Sequence, residues 1–465
     1  MKKYLVLSFL FLLAFVFICA GIDLWQPENY AAQSVPSYIT LDNTPQNNLT
    51  TDKGASLGRV LFYDKQLSLD GSQACASCHH QEFAFSDTAQ LSDGYKGGKT
   101  VRHAMRLVNN RFSNEIHYFW NERAATLEEQ TTMPIQDHVE MGFSGSQGDP
   151  GIDSLIKRMY SLSYYPKLFK EVFGDTLITE SRMQFAMGQF VRSIQSFDTK
   201  FDEGLAQAGN LNNDFPNYTG LENTGKRLFL APPPTGGAGC QGCHKAPEFD
   251  IDPNTHNNGV IHVAGSVDDI DLDNTKAPSL RDLFNANGQL NGPLMHNGEF
   301  LTLMDVINHY DSIPNDPRNT NLDNRLRGPG GNGTQQLGLT NAQKQALVAF
   351  IKTLSGSDVY TNPKWSDPFN SDGSLTLSGL DGFEPLAQAV LQLYPNPSRG
   401  NFLIECDQAL NKLEIFDQSG RHIITFDCHN SYRKELSLQA PAGIYYVTIL
   451  LSNGTKQTKK LVLSQ

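Results

Sequence analysis

The sequence lacks an excess of positive charge. Its 37 Lys and Arg residues stand against 49 Asp and Glu residues, which gives a formal net charge of −12 at pH 7. A chain that binds nucleic acid needs a basic face for the phosphates, and the sequence contains no Lys- or Arg-rich run that would supply one. The composition therefore excludes nucleic acid as an expected partner.

Cysteine is also scarce, with seven residues among 465. A domain held together by disulfides uses cysteine at a much higher density, so a disulfide framework is excluded. Glycine and proline are plentiful, at 39 and 23 residues, and 39% of the residues are hydrophobic. These values indicate a globular chain with long loops, and at roughly 150 residues per domain its length predicts two or three domains.

Long apolar runs are missing except at the N-terminus. Lys2 and Lys3 precede an apolar stretch over residues 4–18, which is followed by small residues. Because about 20 apolar residues are needed to cross a bilayer, this shorter stretch predicts a cleaved secretory signal peptide over residues 1–21. An uncleaved membrane anchor and a lipoprotein acylated on Cys19 are the alternatives.

Four of the seven cysteines belong to two copies of one motif, in which two cysteines are separated by two residues and followed by a histidine. The copies are Cys75, Cys78 and His79, and Cys240, Cys243 and His244. In this spacing the two thiols bond the vinyl groups of a porphyrin and the adjacent histidine ligates its iron. A thioredoxin-like redox pair and half of a zinc site are the competing interpretations, but neither requires a histidine after both pairs. The sequence therefore predicts two covalently bound c-type haems.

A short repeat precedes the two motifs and predicts two similar modules. Residues 58–62 read GRVLF and residues 225–229 read GKRLF. We place the modules at residues 51–205 and 206–365. Apolar residues at three- and four-residue spacing predict amphipathic helices over residues 180–201 and 342–354.

The remaining segments differ in composition from the two modules. Residues 22–50 are rich in Asn, Gln, Pro and Thr and predict an extended leader, and residues 366–390 predict a linker. Residues 391–465 contain short apolar stretches between Gly, Asn and Ser turns, which is typical of a small all-β sandwich. The predicted strands are 402–405, 412–416, 422–426, 445–451 and 459–463.

Further motifs carry a family resemblance across residues 51–365. They are LGRVLFYD at 57–64, FAFSD at 83–87, WNER at 120–123, LEEQ at 127–130, EMG at 140–142, PSLR at 278–281 and MHNG at 295–298. In order and spacing they closely resemble the bacterial di-haem cytochrome c peroxidase and MauG family. The resemblance implies a mainly α fold, with two cytochrome c-like haem domains and long loops before the all-β sandwich.

The resemblance also implies roles around the first haem, whose iron His79 would ligate. Trp120, Gln130 and Glu140 fall where the family places its inter-haem Trp and its distal Gln and Glu. Glu140 would then act as the general acid and base for peroxide. Gln130 would orient peroxide or water, and Trp120 would carry electrons between the haems.

The second haem, on His244, would be six-coordinate and would receive electrons from a donor. In the family the sixth ligand lies 14 residues after the histidine of the MHNG motif, so the resemblance places it at Tyr310. MauG has a tyrosine at this position, and the peroxidases of the family have a methionine. A phenolate ligand lowers the potential of a haem. Met295 and His309 are the rival ligands.

Two further features of the family are altered in this chain. Some members carry a distal histidine ligand, which we expect to be absent here because His80 is too close to the proximal ligand and His103 is displaced. A calcium ion between the haems is implied by the resemblance, with backbone carbonyls at Asn291 and Pro293. His103 stands where relatives have an asparagine, however, and neutral histidine is a poor ligand for calcium.

The C-terminal stretch carries a second resemblance. The segments YPNP at 394–397, IFDQSGR at 415–421 and AGIYYV at 442–447 resemble the type A sorting domain of type IX secretion. This implies a protein that passes through the periplasm and reaches the cell surface or the medium. A carbohydrate-binding or adhesion sandwich is the alternative.

The preferred function is therefore an exported di-haem peroxidase. It would reduce hydrogen peroxide to water with electrons from a small cytochrome or cupredoxin, and the type IX machinery would be its secretion partner. The alternatives are a MauG-like oxidase of a protein or organic substrate, which Tyr310 favours, and a non-enzymatic electron carrier with two six-coordinate haems. A homodimer remains open as the assembly.

Overall fold

A computed structural model describes residues 27–114, 117–251, 255–373, 375, 391–451 and 456–464. The chain divides into two compact units, Met1–Asp381 and Gly382–Gln465. The predicted signal peptide at 1–21 and most of the predicted linker at 366–390 lie outside the described residues. In the described ranges, none of the helices has the length and apolar character that a membrane span requires.

Helices dominate the regular structure of the first unit, and nine α-helices lie in its described part. They are α1 (Asp52–Tyr63), α2 (Leu127–Thr132), α3 (Ile152–Ser161), α4 (Tyr164–Phe173), α5 (Glu180–Ser193), α6 (Lys200–Ala208), α7 (Gly220–Leu230), α8 (Leu303–Asp311) and α9 (Asn341–Lys352). All except α3 and α4 start after a threonine whose hydroxyl accepts a backbone N–H of the first turn. Such N-caps are worth about 1 kcal/mol each and fix where the helices begin.

Both modules contain the same kind of helix crossing. Helix α1 packs against α5, and α7 packs against α9. A Cβ at Gly58 would lie 2.0 Å from the carbonyl oxygen of Ala186, and a Cβ at Gly225 would lie 1.9 Å from that of Ala346. Only glycine permits such close approach of two helices. The repeat in the sequence therefore marks one crossing that occurs twice.

The residue after each of these glycines is a buried cation. Arg59 donates from Nη1 to the carbonyls of residues 363 and 364, at 3.0 and 2.9 Å. Lys226 donates from Nζ to the carbonyls of residues 211 and 213. In both modules the cation therefore fastens a loop to the helix crossing.

A buried ion pair links helix α6 to the PSLR segment of the second module. Arg281 donates to both carboxylate oxygens of Asp202, at 2.9 and 2.8 Å, and Tyr38 donates to the same carboxylate at 2.7 Å. Burial alone would raise the pKa of Asp202, but the guanidinium outweighs it and holds the pKa below its ordinary value. Charge pairing in this buried site keeps the carboxylate ionised.

The leader is part of the packed unit over its described residues, 27–50, where the chain forms turns and extended segments. Asn48 donates to Glu128 at 2.7 Å and accepts from Gln189 at 2.8 Å. Glu128 is also paired with the buried Arg192. The leader therefore completes a polar network between α2 and α5.

The predicted amphipathic helix at 180–201 ends earlier than expected, because α5 stops at Ser193. Ile194 leaves the helix, and its carbonyl accepts the backbone N–H of Asn109 at 2.9 Å. The Asn109 side chain then accepts the N–H of Ser196 at 2.9 Å and donates to its carbonyl at 3.1 Å. Capture of this segment by Asn109 competes with further helical hydrogen bonds.

The second unit is an antiparallel sheet. Its strands are β3 (Leu391–Tyr394), β4 (Asn401–Asp417), β5 (His422–Ser437), β6 (Gly443–Leu451) and β7 (Lys456–Leu463). Strand β4 pairs with β5 on one side, and with β3 and then β6 on the other. Its buried residues, such as Leu413 and Ile415, pack with Val447 and Ile449 of β6.

The strands of this unit are longer than the sequence predicts. The predicted strands 402–405 and 412–416 are parts of the single strand β4, and 422–426 is the beginning of β5. Polar residues at 407, 408 and 411 interrupt the alternating pattern. Pairing with β5 nevertheless continues across this stretch with shifts in register between Glu405 and Lys412.

Candidate active site

The first C-x-x-C-H motif lies in a 3₁₀ turn, Cys75–Ser77, that follows α1. The His79 ring is fixed by Nδ1, which lies 2.9 Å from the Phe85 carbonyl oxygen. Because a carbonyl only accepts, the proton must be on Nδ1, which leaves Nε2 as the electron-pair donor. Burial lowers the pKa of His79, so the ring is neutral at pH 7.

Gln130 and Glu140 line the same cavity as the first motif, together with Phe62 and Met187. Helix α2 positions Gln130, and the Thr126 cap fixes where that helix begins. The space between these residues is about 70 Å³, which is smaller than a porphyrin. The attachment residues therefore carry the inference here: two thiols and a neutral imidazole make a donor set that fits a covalently bound haem.

Glu140 is half-buried and lines this cavity. Its backbone N–H donates to the Asp137 carboxylate at 3.0 Å. Burial raises the pKa of Glu140 to about 7, the negative charge of Asp137 adds to the rise, and Arg123 opposes it. The carboxyl group is therefore poised to exchange a proton near neutral pH.

The second motif lies in an equivalent 3₁₀ turn, Cys240–Gly242, after α7. His244 begins strand β1 (His244–Lys245), which pairs with β2 (Asp250–Ile251). Burial lowers the pKa of His244 to about 4, and its Nδ1 has no hydrogen-bond partner of good geometry among the described residues. The ring is therefore a neutral, buried nitrogen donor.

Cys240, Cys243 and His244 line a cavity of about 660 Å³. Its walls are mainly apolar side chains. They include Phe229, Leu283, Leu294, Leu303, Val306, Ile307, Leu347 and Ile351. A cavity of several hundred cubic ångströms with few polar groups suits a ligand of porphyrin size. The neutral imidazole, the two thiols and the cavity together fit a haem held by the second motif.

Tyr310 and Met295 line this second cavity, whereas His309 is not among the described residues that line it. His309 instead uses Nε2 to hydrogen-bond the Asn258 carbonyl at 3.0 Å. Burial raises the pKa of Tyr310 well above its ordinary value, so its phenol keeps its proton at pH 7 unless a metal displaces it. The two candidate ligands at the cavity are therefore a phenol and a thioether.

Asn258 is a residue of the second cavity that sequence reasoning missed. Its side-chain N–H donates to the Met295 sulfur at 3.6 Å, its carbonyl holds His309, and its side chain also acts to lower the pKa of Tyr310 against the effect of burial. The sequence around it, Asn-Asn-Gly at 257–259, signals only a turn. No local pattern indicates that this turn contacts three candidate ligands.

The segment 100–107 separates the two cavities. Thr100 and Leu107 line the first cavity, whereas residues 103–106 line the second. Trp120 lines the second cavity and donates from Nε1 to the His103 carbonyl at 2.7 Å. The structure thus brings Gln130 and Glu140 to the first cavity and Trp120 to the wall of the second.

His103 lies in this separating segment and faces the second cavity. Its Nδ1 lies 3.0 and 3.2 Å from the carbonyls of Ala89 and Gln90, and burial lowers its pKa to about 4. His80 adopts an extended backbone conformation and precedes a 3₁₀ turn, Gln81–Phe83. Among the described residues, neither ring lines the first cavity.

At the predicted calcium site, the departure from an oxygen donor set lies at His103. Asn291 is buried; its side-chain N–H donates to the Asp282 carbonyl at 2.8 Å and to Tyr360 at 3.0 Å, and its Oδ1 has no hydrogen-bond partner among the described residues. His103 lies beside the Asn291–Pro293 stretch, with Cε1 3.7 Å from a Cβ placed on Gly292. A neutral imidazole whose nitrogen proton is held by carbonyls offers calcium no oxygen ligand.

The chain is similar in sequence to proteins of known name. Residues 52–210 match the profile of the family described as di-haem cytochrome c peroxidase, and residues 392–464 match that of a secretion system C-terminal sorting domain. The methylamine utilization protein MauG of Methylophilus methylotrophus is 30% identical over 320 residues, which is 67% of this chain and 85% of that protein. The cytochrome c551 peroxidase of Nitrosomonas europaea is 28% identical over 331 residues, which is 68% of this chain and 84% of that protein.

The chain is also similar in fold to solved structures. A MauG-like protein associated with microbial copper homeostasis is 27% identical, with a TM-score of 0.57 over 72% of this chain and 98% of that chain. A variant of the diheme peroxidase BthA from Burkholderia thailandensis, at 20% identity and a TM-score of 0.51, covers 72% of this chain and 93% of that chain and shares the fold. The chain belongs to the di-haem cytochrome c peroxidase and MauG family of oxidoreductases, whose members carry two c-type haems, and it ends in a sorting domain for secretion.

Proposed function

We propose that the protein is an exported di-haem peroxidase that reduces hydrogen peroxide to water with electrons from a small cytochrome or cupredoxin. One observation carries this proposal: the first cavity joins a haem-attachment motif to Gln130 and to Glu140, whose pKa is about 7. When bound through His79, the haem supplies an iron centre at which the O–O bond of peroxide is cleaved. Each turnover consumes one peroxide, two protons and two electrons and yields two waters.

The side chains of the first cavity would divide the remaining work. The Gln130 amide donates a hydrogen bond that orients peroxide. The Glu140 carboxylate accepts a proton from one peroxide oxygen and delivers it to the other oxygen, which then leaves as water. A carboxyl group with a pKa near 7 performs both steps at neutral pH, because it exists in comparable amounts with and without its proton.

The function is tested on the secreted holoprotein by spin-state spectroscopy, followed by peroxide addition with and without a reduced c-type cytochrome. We expect one high-spin and one low-spin haem, and peroxide-dependent oxidation of the cytochrome. Two low-spin haems with no peroxide consumption would instead indicate an electron carrier. A long-lived, peroxide-oxidised protein that leaves the cytochrome reduced would indicate the MauG-like oxidase.

We assign Trp120 to electron transfer between the haems, because it lies in the wall of the second cavity and is fixed by the His103 carbonyl. Trp120→Phe is expected to slow peroxide-driven oxidation of the second haem by about tenfold, equal to about 1.4 kcal/mol on the barrier. Stopped-flow absorbance in a single turnover measures this rate. Trp365→Phe is the matched control, since Trp365 is buried in another part of the core and bonds Ser193. Equal rates in the two variants would remove Trp120 from the electron path.

We propose Tyr310 as the sixth ligand of the second haem, with Met295 as its rival, because both line the second cavity. A phenolate lowers a haem potential, so Tyr310→Phe is expected to raise the midpoint potential of this haem by about 59 mV or more, a tenfold change in the one-electron equilibrium. Met295→Leu is expected to leave it nearly unchanged. Potentiometric titration followed by absorbance distinguishes the variants. An unchanged potential in Tyr310→Phe together with a lowered potential in Met295→Leu would assign the ligand to Met295, because a Met ligand raises a haem potential.

We propose that the protein works without the calcium ion of its relatives, because His103 replaces the expected oxygen donor beside Asn291 and Pro293. Chelation with EGTA is expected to leave haem spectra and peroxide turnover unchanged, and metal analysis is expected to find no stoichiometric calcium. His103→Asn, which restores an amide oxygen, is the informative companion variant. Loss of turnover on chelation of the unchanged protein, reversed by calcium, would contradict the proposal.

We propose that the chain passes through the periplasm and is delivered to the cell surface or the medium by the type IX machinery. The sorting-domain match over residues 392–464 supports this route. We also propose that the sheet of this unit closes into a two-layer sandwich, which the different partners of β4 along its length support. Two mainly α, cytochrome c-like domains at residues 51–205 and 206–365, the identity of the electron donor and a homodimer stay predictions.

A further inference from the structure

We propose that Arg106 binds a haem carboxylate in the second cavity and thereby sets the reduction potential of the haem held by His244. The proposal rests on the proposed function, in that it requires a haem in this cavity. It adds a residue whose place in the sequence carries no recognised motif.

A haem brings two carboxylates into a cavity whose walls are mainly apolar. A buried carboxylate is stable only when it is paired with a cation or with several hydrogen-bond donors. Four Lys and Arg side chains line the cavity in the described part of the chain. They are Arg106, Lys245, Lys276 and Arg325. The haem carboxylate should pair with the Lys or Arg side chain whose positive charge is not already paired with another group.

Three of these four cations are engaged or exposed. Arg325 is paired with Asp323 through two bonds, Nε to Oδ1 at 2.9 Å and Nη2 to Oδ2 at 2.7 Å. Lys276 donates to the His117 carbonyl at 2.8 Å and lies over the Tyr118 ring. Lys245 is exposed to solvent.

Arg106 differs from these three. It donates from Nη2 to the Ser279 carbonyl at 3.2 Å, and its buried Nε has no hydrogen-bond partner among the described residues. The carboxylate whose charge acts on Arg106, that of Asp282, accepts bonds from Gly356 and Tyr360 at Oδ1, and its Oδ2 has no hydrogen-bond partner among the described residues, so it makes no bond to Arg106. A guanidinium presents parallel N–H donors that match a carboxylate, so Arg106 has both the charge and the donors to bind one.

The position of Arg106 makes its charge effective at the second haem. It lies in the segment 100–107 between the cavities and lines the second cavity together with His244. A cation near a haem favours the reduced iron, which carries one positive charge less than the oxidised iron. Loss of this cation should therefore lower the potential of the second haem.

The test compares the midpoint potentials of both haems in the unchanged holoprotein and in three variants. Arg106→Met removes the charge, Arg106→Lys keeps the charge without the forked donors, and Arg111→Met removes an arginine that is paired with Asp42 away from both cavities. We expect Arg106→Met to lower the potential of the His244 haem by about 59 mV, a tenfold change in its one-electron equilibrium. Arg106→Lys should keep most of the potential, and Arg111→Met all of it.

A second readout concerns the carboxylate itself. Without Arg106 the pKa of the haem carboxylate should rise. Because protonation of this carboxylate changes the haem potential, the potential of the His244 haem should then depend on pH at higher pH values than in the unchanged protein. If Arg106→Met does not fold, Arg106→Lys carries the test through the resonance Raman bending band of the haem carboxylates. That band should shift when a point charge replaces the forked donors, and an unshifted band would overturn the proposal.

The number of haems bound per chain distinguishes failure of the proposed function from failure of the role of Arg106. A chain with no haem in the second cavity refutes the proposed function and this inference together. A chain with two haems, in which Arg106→Met leaves the potential and its pH dependence unchanged, refutes only the role of Arg106.

Discussion

Glu140→Gln is expected to lower peroxide turnover by about two to four orders of magnitude, the usual contribution of a positioned proton-transfer group. Glutamine keeps the shape of the side chain but cannot accept and return a proton. In the unchanged protein, turnover should rise with pH through about 7, because only the ionised carboxylate can accept the first proton. Steady-state kinetics between pH 5 and pH 9 measure both effects, and the variant should lose this pH dependence.

The matched control is Glu129→Gln, since Glu129 lies beside Gln130 but is exposed. Its carboxylate accepts the Ala125 N–H at 3.0 Å, and it is not among the residues that line the first cavity. Turnover of this variant should stay close to that of the unchanged protein. Near-normal turnover in Glu140→Gln would falsify the assigned role of Glu140.

The same carboxyl group should affect stability in the opposite direction. The folded protein holds the Glu140 proton up to about pH 7, whereas an unfolded chain releases it near pH 4.3. The raised pKa therefore favours the folded state at low pH, and this advantage is lost as pH rises through about 7. Glu140→Gln should consequently melt at a higher temperature than the unchanged protein at pH 8, which shows that its loss of turnover does not come from unfolding.

Arg281→Met is expected to cost about 3–5 kcal/mol of unfolding free energy in the first unit. The variant leaves the Asp202 carboxylate buried without its cation, with Thr199 and Tyr38 as its remaining side-chain partners. Denaturant titration of the holoprotein, followed by haem absorbance, measures the change. The pairing also holds the pKa of Asp202 low, so its contribution is present at neutral pH and disappears as pH falls through that lowered value.

Two further variants interpret this result. Adding Asp202→Asn to Arg281→Met removes the uncompensated charge and should recover part of the lost stability. Lys53→Met removes one partner of a largely exposed pair with Glu171 and should cost less than about 1 kcal/mol. If Arg281→Met also cost less than about 1 kcal/mol, the buried pair would contribute little to the stability of the unit.

The residue types of the candidate site are easier to predict from the sequence than the contacts that position them. Each C-x-x-C-H motif is a contiguous stretch of the sequence, and each contains a 3₁₀ turn at a cavity. The family resemblance implies a shared role for Gln130 and Glu140, and both side chains line the first cavity. Their roles in catalysis stay predictions, because they depend on chemistry that only experiment reveals.

Contacts between distant parts of the chain were not predictable from the sequence. Asn48 lies in a segment that looks like a plain leader, yet it completes a network with Glu128 and Gln189. Asn258 and Arg106 are equally inconspicuous, because the Met295 sulfur that Asn258 contacts and the Ser279 carbonyl that Arg106 contacts are 37 and 173 residues away in the chain. Hydrophobic periodicity reports the faces of single helices and strands and carries no information on such pairs.

The paired crossings at Gly58 and Gly225 bear on how this protein arose. Each glycine lets two helices of its module approach closely, each is followed by a cation that hydrogen-bonds loop carbonyls, and each precedes the turn of a haem-attachment motif. Tandem duplication of one ancestral single-haem unit leaves this kind of record. On that view the two halves inherited one scaffold, and selection then changed what faces each cavity: an acid and an amide in one, a phenol and a thioether in the other.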